Sequence, residues 1–104
     1  MEETQLLKGI LEGCILSIIE KKETYGYEIL SELQNYGFDN IIEGTMYPVL
    51  TRLNKKGLIS CRIGKSPFGP KRKYYSITEE GTKWMKSFRN SYKKINEIAQ
   101  KVLF

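Results

Sequence analysis

The N-terminal part of the chain repeats apolar residues at spacings of three and four. This pattern predicts an amphipathic helix over residues 4–21, with Thr4 as its N-cap. Gly9 and Gly13 fall inside the predicted helix, where each costs about 1 kcal/mol relative to Ala. Two interpretations of these glycines stay open: close packing against another helix, or space left for a ligand.

A second apolar-periodic segment predicts another helix, with Thr24 as its N-cap. Gly37 is expected to end this helix as a residue in the left-handed region, because glycine adopts that conformation without strain. Phe38 is then expected to fold back onto the core.

The third predicted helix starts near Gly44 and Thr45 and ends at Gly57. Pro48 is expected in its first turn, where the missing N–H would have no intrahelical partner. The predicted buried face consists of Met46, Val49, Leu50 and Leu53. The opposite face carries Thr45, Thr51, Arg52, Lys55 and Lys56, with Tyr47 at the boundary between the two faces.

Two segments rich in β-branched and aromatic residues follow, at 58–63 and 73–77. The segment between them, 64–72, contains two Gly, two Pro and three bases. This combination predicts a two-stranded hairpin with a basic tip.

A last helix is predicted from the N-cap Thr78 to about residue 102. Its apolar positions are spaced three and four apart, which is a heptad seam: Met85, Phe88, Tyr92, Ile95, Ala99 and Val102. The only Trp, Trp84, is expected to lie in the core. The seam can serve either the core or a partner. A helix of about 24 residues is roughly 36 Å long, so we expect part of the seam to need a second chain.

The predicted order is helix, helix, helix, strand, basic loop, strand and long helix. A helix-turn-helix followed by a β-hairpin is a winged helix, so the expected fold is mostly α with a small β-hairpin. We expect residues 1–78 to form a winged-helix DNA-binding domain, whose first helix also contacts a partner. Residues 79–104 are expected to form a C-terminal dimerisation helix.

Charge is distributed unevenly along the 104 residues, whose formal net charge is +5. Residues 1–43 contain 9 acids and 3 bases, whereas residues 44–78 contain 8 bases and no acid. The acid-free segment is either a solvated basic face or a surface for a polyanion, with double-stranded DNA first among candidates. The residues expected to bind DNA are Thr45, Tyr47, Thr51, Arg52, Lys55, Lys65, Lys71, Arg72 and Lys73.

Composition argues against an enzyme. The chain has no His, which excludes His-dependent general bases and His-bearing zinc sites. Cys14 and Cys61 are far apart and are expected to be small core residues of a reduced, cytoplasmic protein. We therefore expect no cofactor and no metal. The acidic N-terminus and the short apolar stretches also predict neither a targeting signal nor a membrane partner.

Three motifs resemble one family, the PadR family of bacterial transcriptional regulators. Residues 24–29 (TYGYEI) resemble the start of its second helix, and residues 43–59 (EGTMYPVLTRLNKKGLI) resemble its recognition helix and the entry to the wing. Residues 69–81 (GPKRKYYSITEEG) resemble its returning strand and next helix. The single terminal helix is similar to the short branch of the family.

This resemblance implies a homodimeric repressor, cytoplasmic, with some relatives responding to drugs or phenolic compounds. It implies that the last helix crosses its mate and packs on the first helix of the other subunit. The expected dimer interface is Leu7, Leu11, Phe88, Tyr92, Ile95, Ala99 and Val102.

The resemblance also implies a site for a small aromatic effector at the dimer centre, where drug-responsive relatives carry an aromatic residue. Tyr92 occupies that position here, and Asn96 replaces an acidic residue, which argues against cationic aromatic drugs. The expected ligand residues are Leu6, Gly9, Glu12, Gly13, Tyr92 and Asn96. Two alternatives stay open: Tyr92 fills the gap itself, or the chain is a winged-helix protein-interaction module without ligand sensing.

Overall fold

The computed structural model describes residues 3–66 and 69–104. In chain order it contains α1 (Glu3–Leu7), α2 (Leu11–Lys21), β1 (Thr24–Tyr25), α3 (Gly26–Tyr36), α4 (Glu43–Lys55), β2 (Ile59–Ser66), β3 (Gly69–Ile77) and α5 (Glu79–Leu103). Helices α2, α3 and α4 contribute most of the hydrophobic core, and the strands pair antiparallel in the order β1-β3-β2. Helices α3 and α4 followed by the β2–β3 hairpin, hereafter the wing, have the arrangement of a winged helix-turn-helix.

The first predicted helix is interrupted. The chain turns at residues 8–10, and the Ile10 amide donates to the Leu7 carbonyl at 2.9 Å. Gly9 lies in this turn, where its low helix propensity favours a break over a continuous helix. The prediction of one helix over 4–21 is therefore wrong at this point. Thr4 lies inside α1 rather than at its N-cap.

Thr24 is a strand residue and not the predicted N-cap. It pairs with Tyr75 of β3, and its hydroxyl donates to the Glu28 carboxylate at 2.7 Å. Only 1% of Thr24 is exposed, so this hydrogen bond satisfies a buried hydroxyl. Helix α3 begins two residues later at Gly26, and its N-cap residue, Tyr25, makes no side-chain capping bond.

The other predicted helix ends are confirmed. Gly37 ends α3 with φ 121°, and Gly57 follows α4 with φ 76°, both in the region that glycine tolerates. Phe38 packs against the core, as predicted. At the start of α5, the Thr78 hydroxyl accepts a hydrogen bond from the Gly81 amide at 3.0 Å.

Helix α4 buries the predicted face, which consists of Met46, Val49, Leu50 and Leu53. Pro48 does not lie in the first turn, because the helix begins at Glu43 and Pro48 is therefore its sixth residue. The carbonyl of Gly44 consequently lacks its intrahelical donor. Gly44 is exposed, so water can satisfy this carbonyl.

Both strands of the wing are longer than predicted, and much of the expected loop is paired backbone. Gly64 pairs with Arg72 and Ser66 with Gly69, with an irregularity between Gly64 and Ser66. Pro70 is tolerated because β1 covers only Tyr74 and Tyr75, which leaves the rest of that β3 edge open. The predicted loop residues 67 and 68 lie outside the described residues.

The two cysteines differ in exposure. Cys14 is half-buried, and burial raises the pKa of its thiol. Cys61 is exposed on β2, so the prediction that both cysteines are core residues is wrong for Cys61. Cys61 lies opposite Tyr75 of β3 and on the same face of the sheet as the buried Ile59, yet its side chain stays exposed.

Helix α5 contacts the core only near its start. Met85 is buried, and Trp84 and Phe88 pack partly against the core, as predicted for Trp84. The ring planes of Trp84 and Phe88 are stacked with centroids 5.2 Å apart. Beyond this point the helix carries mostly exposed residues, including Tyr92 and Ile95.

Candidate nucleic-acid interface

The outward face of α4 follows from its buried stripe. Successive helical residues are rotated by about 100°, so the positions opposite that stripe can be identified by number. The centre of the outward face carries Gly44, Pro48, Thr51 and Lys55, all of which are exposed. The Thr51 hydroxyl donates to the Tyr47 carbonyl at 3.0 Å, so it is already engaged within the helix.

One flank of α4 faces α1 and α2, and it carries Thr45 and Arg52, followed by the C-cap residue Lys56. Thr45 and Arg52 border a cavity of about 300 Å³ shared with the first two helices. Arg52 Nε donates to Glu12 Oε1 at 3.1 Å, and Lys56 Nζ donates to Glu12 Oε2 at 3.2 Å. The carboxylate of Glu12 thus binds two cations of the same helix face.

The other flank of α4 faces the wing and carries Tyr47, which is 43% exposed. Its hydroxyl lies against Gly26 so closely that a Cβ at position 26 would overlap it. Any side chain larger than hydrogen at position 26 would displace Tyr47 from the wing side of α4. Glycine is needed at position 26 because the Tyr47 side chain lies so close to the backbone there. Backbone conformation is not the reason, since Gly26 does not have a positive φ.

The wing presents its bases on both faces of β3. Lys71 and Lys73 alternate with Arg72, as residues of a strand do. Lys65, Lys71 and Lys73 are exposed. The guanidinium carbon of Arg72 lies 3.9 Å from the centroid of the Tyr25 ring, a cation–π geometry that holds this side chain against β1.

On the outer side of the sheet, the Arg62 guanidinium donates twice to the Glu23 carboxylate, at 2.8 and 2.6 Å. The Ser76 hydroxyl donates to the same carboxylate at 3.3 Å. The hydrogen bond from Arg62 is the main reason why the pKa of Glu23 is lowered. The Arg62 guanidinium also lies 4.6 Å from the centroid of the Tyr74 ring.

A cavity of about 320 Å³, hereafter the tyrosine–lysine cavity, lies between the start of α3, helix α4 and strand β3. It brings together four of the predicted DNA-binding residues: Tyr47, Lys71, Arg72 and Lys73. It also contains residues that were not predicted as site residues: Tyr25, Gly26, Tyr27 and Tyr75. The sequence did contain a signal for Tyr75: it alternates with Lys71 and Lys73 at every second position. This period-2 spacing places all three residues on one face of the strand and could have predicted that Tyr75 belongs to the same site.

A second cavity, of about 410 Å³, lies along α5 and the turn at Gly9. Of the predicted ligand residues, Gly9, Tyr92 and Asn96 line it, together with Phe88, Ile95 and Ala99. The structure does not bring Leu6 to this cavity, and it places the Glu12 carboxylate against α4. Gly13 lies beneath the Phe88 ring, which a Cβ at position 13 would overlap. Phe88, and not Tyr92, therefore fills the gap at Gly13.

The residues predicted for a dimer interface fall into two groups. Leu11 is buried within the chain, and Leu7 and Phe88 are partly buried against the same core. Leu11 therefore has little surface left for a partner, because it completes the core beside α4. Tyr92, Ile95 and Val102 are 47%, 66% and 79% exposed, and Ala99 is half-buried beside them.

Within residues 3–66 and 69–104, no group of three His, Cys, Asp or Glu side chains could hold a metal ion. No helix in this part of the chain has the length and apolar character needed to cross a bilayer.

Comparison with known proteins identifies the family. The model of the transcriptional regulator PadR-like family matches residues 15–87. A crystal structure of a PadR-like transcriptional regulator from Bacillus cereus is 43% identical, with a TM-score of 0.84, and the match covers 95% of this chain and 96% of that one.

Two further proteins are longer than this chain. The transcriptional regulator YqjI of Escherichia coli is 29% identical over 91 residues, which are 86% of this chain and 42% of YqjI. Bacillus subtilis PadR, in a crystal structure with operator DNA, is 25% identical with a TM-score of 0.70 over 79% of this chain and 47% of that chain. This chain thus spans less than half the length of both proteins.

These neighbours confirm the predicted winged-helix fold, which here is mostly helical with a small antiparallel sheet. The family model spans well over half of the chain. The chain therefore belongs to the PadR-like family of transcriptional regulators, whose members are not enzymes.

Proposed function

We propose that this chain is a homodimeric repressor that binds operator DNA through α4 and the wing. The observation that carries the proposal is the tyrosine–lysine cavity beside the exposed face of α4, because three bases and no acid line it. Lys and Arg side chains neutralise DNA phosphates, which supplies most sequence-independent affinity. The operator complex of Bacillus subtilis PadR supports the same use of this fold.

The exposed apolar residues of α5 support the dimer. Ile95, Val102 and Phe104 are 66%, 79% and 95% exposed, and Ile98 and Leu103 accompany them. Such a continuous apolar stripe on a helix is typical of a surface that a partner covers. A second copy would also place two wings on half-sites about 34–36 Å apart. In this proposal, residues 1–78 bind DNA and residues 79–104 dimerise.

A salt titration of DNA binding tests the proposal. The probe is a duplex from the upstream region of the chain's own gene, and the variant is Lys71→Ala/Arg72→Ala. Each neutralised phosphate contributes about −0.9 to the slope of log K against log salt, so the double variant should flatten the slope by roughly 1.8. The control, Lys83→Ala/Lys86→Ala, removes the same charge from exposed positions on α5.

Equal slopes for the wing variant and the parent at every salt concentration would refute the assignment of the wing. If the parent binds neither this duplex nor mixed-sequence DNA, the chain is better explained as a winged-helix protein-interaction module. Substitutions of Thr45 should change sequence preference more than the salt slope, because this exposed position lies near the start of α4 and carries no charge.

A small aromatic effector is a second part of the proposal, and the cavity beside Tyr92 favours it. This cavity is bordered by Gly9, where an added Cβ would meet no neighbouring atom within 4 Å, and by polar Asn96. An aromatic ligand could stack on Tyr92 and fill this space. Release of DNA would require that the ligand favours a different separation of the two wings.

Planar aromatic compounds should be titrated against the DNA complex of the parent and of Tyr92→Ala. Compounds that release DNA from the parent but not from the variant support the effector site. Equal release from both proteins would place the site elsewhere. No release by any compound would favour the alternative that the protein senses no aromatic ligand.

A further inference from the structure

The centre of the outward face of α4 is poor in hydrogen-bond donors. Gly44, Pro48, Thr51 and Lys55 occupy it, and all four are exposed. Glycine has no side chain, and proline has neither a polar side chain nor a backbone N–H. The Thr51 hydroxyl donates to the Tyr47 carbonyl at 3.0 Å, so Thr51 offers a methyl group and no free donor. Lys55 is the remaining donor of this set, and it lies in the last turn of the helix.

The polar side chains on both flanks of this face are held by other parts of the chain. Arg52 Nε donates to the Glu12 carboxylate of α2, a side chain that is only 22% exposed. On the opposite flank, the Tyr47 hydroxyl lies against Gly26 of α3. Either side chain must break its contact before it can reach over the centre of the face. A surface that approaches α4 there therefore meets a proline ring and a methyl group first.

Gly44 is not required by the fold. A Cβ added at position 44 would meet the Ile42 side chain at 3.8 Å, which is an ordinary van der Waals distance, and Gly44 does not have a positive φ. Alanine would favour the helix more than glycine does. What glycine provides at this exposed position is the close approach of an outside surface to the helix backbone, about one turn from Pro48.

The chemistry of this face matches one feature of the DNA major groove. The base edges there present donors and acceptors, and the C5-methyl group of thymine is the apolar exception. A donor or acceptor pressed against Pro48 or the Thr51 methyl group would lose water without gaining a hydrogen bond, which costs free energy. A thymine methyl group gains from the same contact, because apolar surface leaves water. Pro48 and Thr51 are about 4.5 Å apart along the helix axis, near the spacing of about 3.4 Å between adjacent base pairs.

We propose that α4 selects operator half-sites by packing Pro48 and the Thr51 methyl group against thymine C5-methyl groups, with Gly44 allowing the close approach. This inference rests on the proposed DNA-binding function and names the base that this site takes. The bases around the face supply affinity through charge, whereas the sequence preference comes from apolar contact with neighbouring thymines.

The test uses a duplex selected from a random pool for tight binding to the parent protein, in which each thymine is replaced in turn by deoxyuridine. Deoxyuridine lacks the C5-methyl group and keeps the hydrogen-bonding atoms of the base. For the parent, one or two thymines in each half-site should be sensitive, with affinity falling roughly fourfold for each methyl group removed. At those positions, a pair of 5-methylcytosine and guanine should bind more tightly than a pair of cytosine and guanine, because it restores the methyl group.

Two substitutions at position 51 separate the methyl group from the hydroxyl. Thr51→Ser keeps the hydroxyl and should bind thymine and deoxyuridine equally well at one of the sensitive positions. Thr51→Val keeps a methyl group and should retain the parent's discrimination there. Neither substitution changes the charge, so both variants should keep the parent's salt slope. The control is Thr82→Ser on α5, where an exposed hydroxyl likewise donates to the carbonyl four residues earlier, that of Thr78, at 3.3 Å. This control should retain the parent's pattern of sensitivity.

Substitutions at positions 48 and 44 test the rest of the face. Pro48→Ala should lose discrimination at the neighbouring thymine without unfolding the chain, because alanine restores the N–H that the Gly44 carbonyl lacks. Gly44→Ala should melt at or above the parent's temperature, because alanine favours the helix and meets no close neighbour. It should nevertheless bind the selected duplex about tenfold more weakly, as expected for an overpacked contact.

The outcomes are distinguishable. A parent protein that enriches no duplex would refute the proposed function itself. Equal affinity of the parent for its duplex with deoxyuridine at every thymine would refute thymine reading and leave DNA binding intact. Sensitivity that persists in both Thr51→Ser and Pro48→Ala would remove these residues from the contact. Replacement of each guanine by 7-deazaguanine provides the last arm. If affinity falls only in that series, and Arg52→Ala abolishes the loss, then Arg52 reads the operator by hydrogen bonding instead.

Discussion

The Glu12 carboxylate on α2 accepts a hydrogen bond from Arg52 Nε on α4 at 3.1 Å. Its second oxygen accepts from Lys56 Nζ at 3.2 Å, so one acid binds a base of α4 and the C-cap residue of the same helix. Arg62 is likewise paired with Glu23. Three bases of the acid-free segment thus form ion pairs with acids from the first 43 residues. In the described chain, Lys55, Lys65, Lys71 and Lys73 make no such ion pair.

Removal of the Glu12 charge should release two cations toward DNA. We expect Glu12→Gln to bind mixed-sequence duplex more tightly than the parent, with a salt slope steeper by up to roughly 1.8 if both cations reach phosphates. Fluorescence anisotropy over a salt series measures both quantities. Glu80→Gln makes the same change in net charge at an exposed site on α5. Slopes that coincide for the two variants would show that Glu12 does not restrain Arg52 and Lys56.

The two glycines of the first helical segment should respond oppositely to alanine. Gly13→Ala places a methyl group in the Phe88 ring, and we expect the free energy of unfolding to fall by about 1–3 kcal/mol. Gly9→Ala meets no atom within 4 Å and does not require a positive φ, so it should raise that free energy by up to about 1 kcal/mol. Urea unfolding at one fixed protein concentration measures both changes, because the concentration affects the apparent stability of a dimer.

The contact with Phe88 is tested by a second substitution. Gly13→Ala/Phe88→Leu should recover part of the loss caused by Gly13→Ala, because leucine leaves room for the added methyl group. Additive losses in the double variant would contradict the packing of Phe88 over Gly13.

A charge on the exposed part of α5 should separate the subunits. Ile95 is 66% exposed within one chain, so Ile95→Asp costs little in the monomer, but it would bury an unpaired carboxylate in the proposed dimer. We expect the variant to sediment as a monomer with unchanged helix content by circular dichroism. Asn90→Asp adds the same charge at an exposed position about 140° away on the helix, and it should remain dimeric. A dimer of Ile95→Asp would exclude Ile95 from the interface.

The pair of Glu23 and Arg62 makes a pH-dependent contribution to stability. Because the hydrogen bond from Arg62 lowers the pKa of Glu23 in the folded state, the contribution is complete above the ordinary carboxyl pKa and disappears as the pH falls through the lowered value. Glu23→Gln should melt below the parent at neutral pH, and the difference should vanish in acid. Thermal melts across the acid range measure it, with Glu97→Gln as the exposed control. A difference that is independent of pH would assign the effect to packing.

Local pattern was sufficient for α3, α4 and α5 and for most of their ends, but not for the break between α1 and α2. The buried face of α4 follows from apolar spacing alone, because a helix turns the same face inward every three to four residues. Gly37, Gly57 and Thr78 mark helix ends through conformational freedom or capping, which depend on a few neighbouring residues. The same locality explains why the family motifs were recognisable from the sequence.

The local pattern was misleading where a distant partner decided the outcome. Thr24 was predicted to be an N-cap, but it is a strand residue because its backbone pairs with that of Tyr75, which is distant in sequence. Cys61 has Ile59 and Ile63 two positions away on either side, yet it is exposed where β2 pairs with Tyr75 of β3. Both outcomes depend on the sheet, whose register is set by contacts between separate segments.

The candidate sites likewise combine features that the sequence determines with features that only the tertiary structure determines. The sequence alone determined which residue types are present and where the bases cluster, since charge counts need no coordinates. Only the tertiary structure decided that Glu12 faces Arg52 and that Phe88 covers Gly13. It also decided that Tyr47 of α4 borders the cavity of Lys71 and Lys73. These relationships join elements tens of residues apart, and packing and ion pairing in three dimensions select them, which no local periodicity encodes.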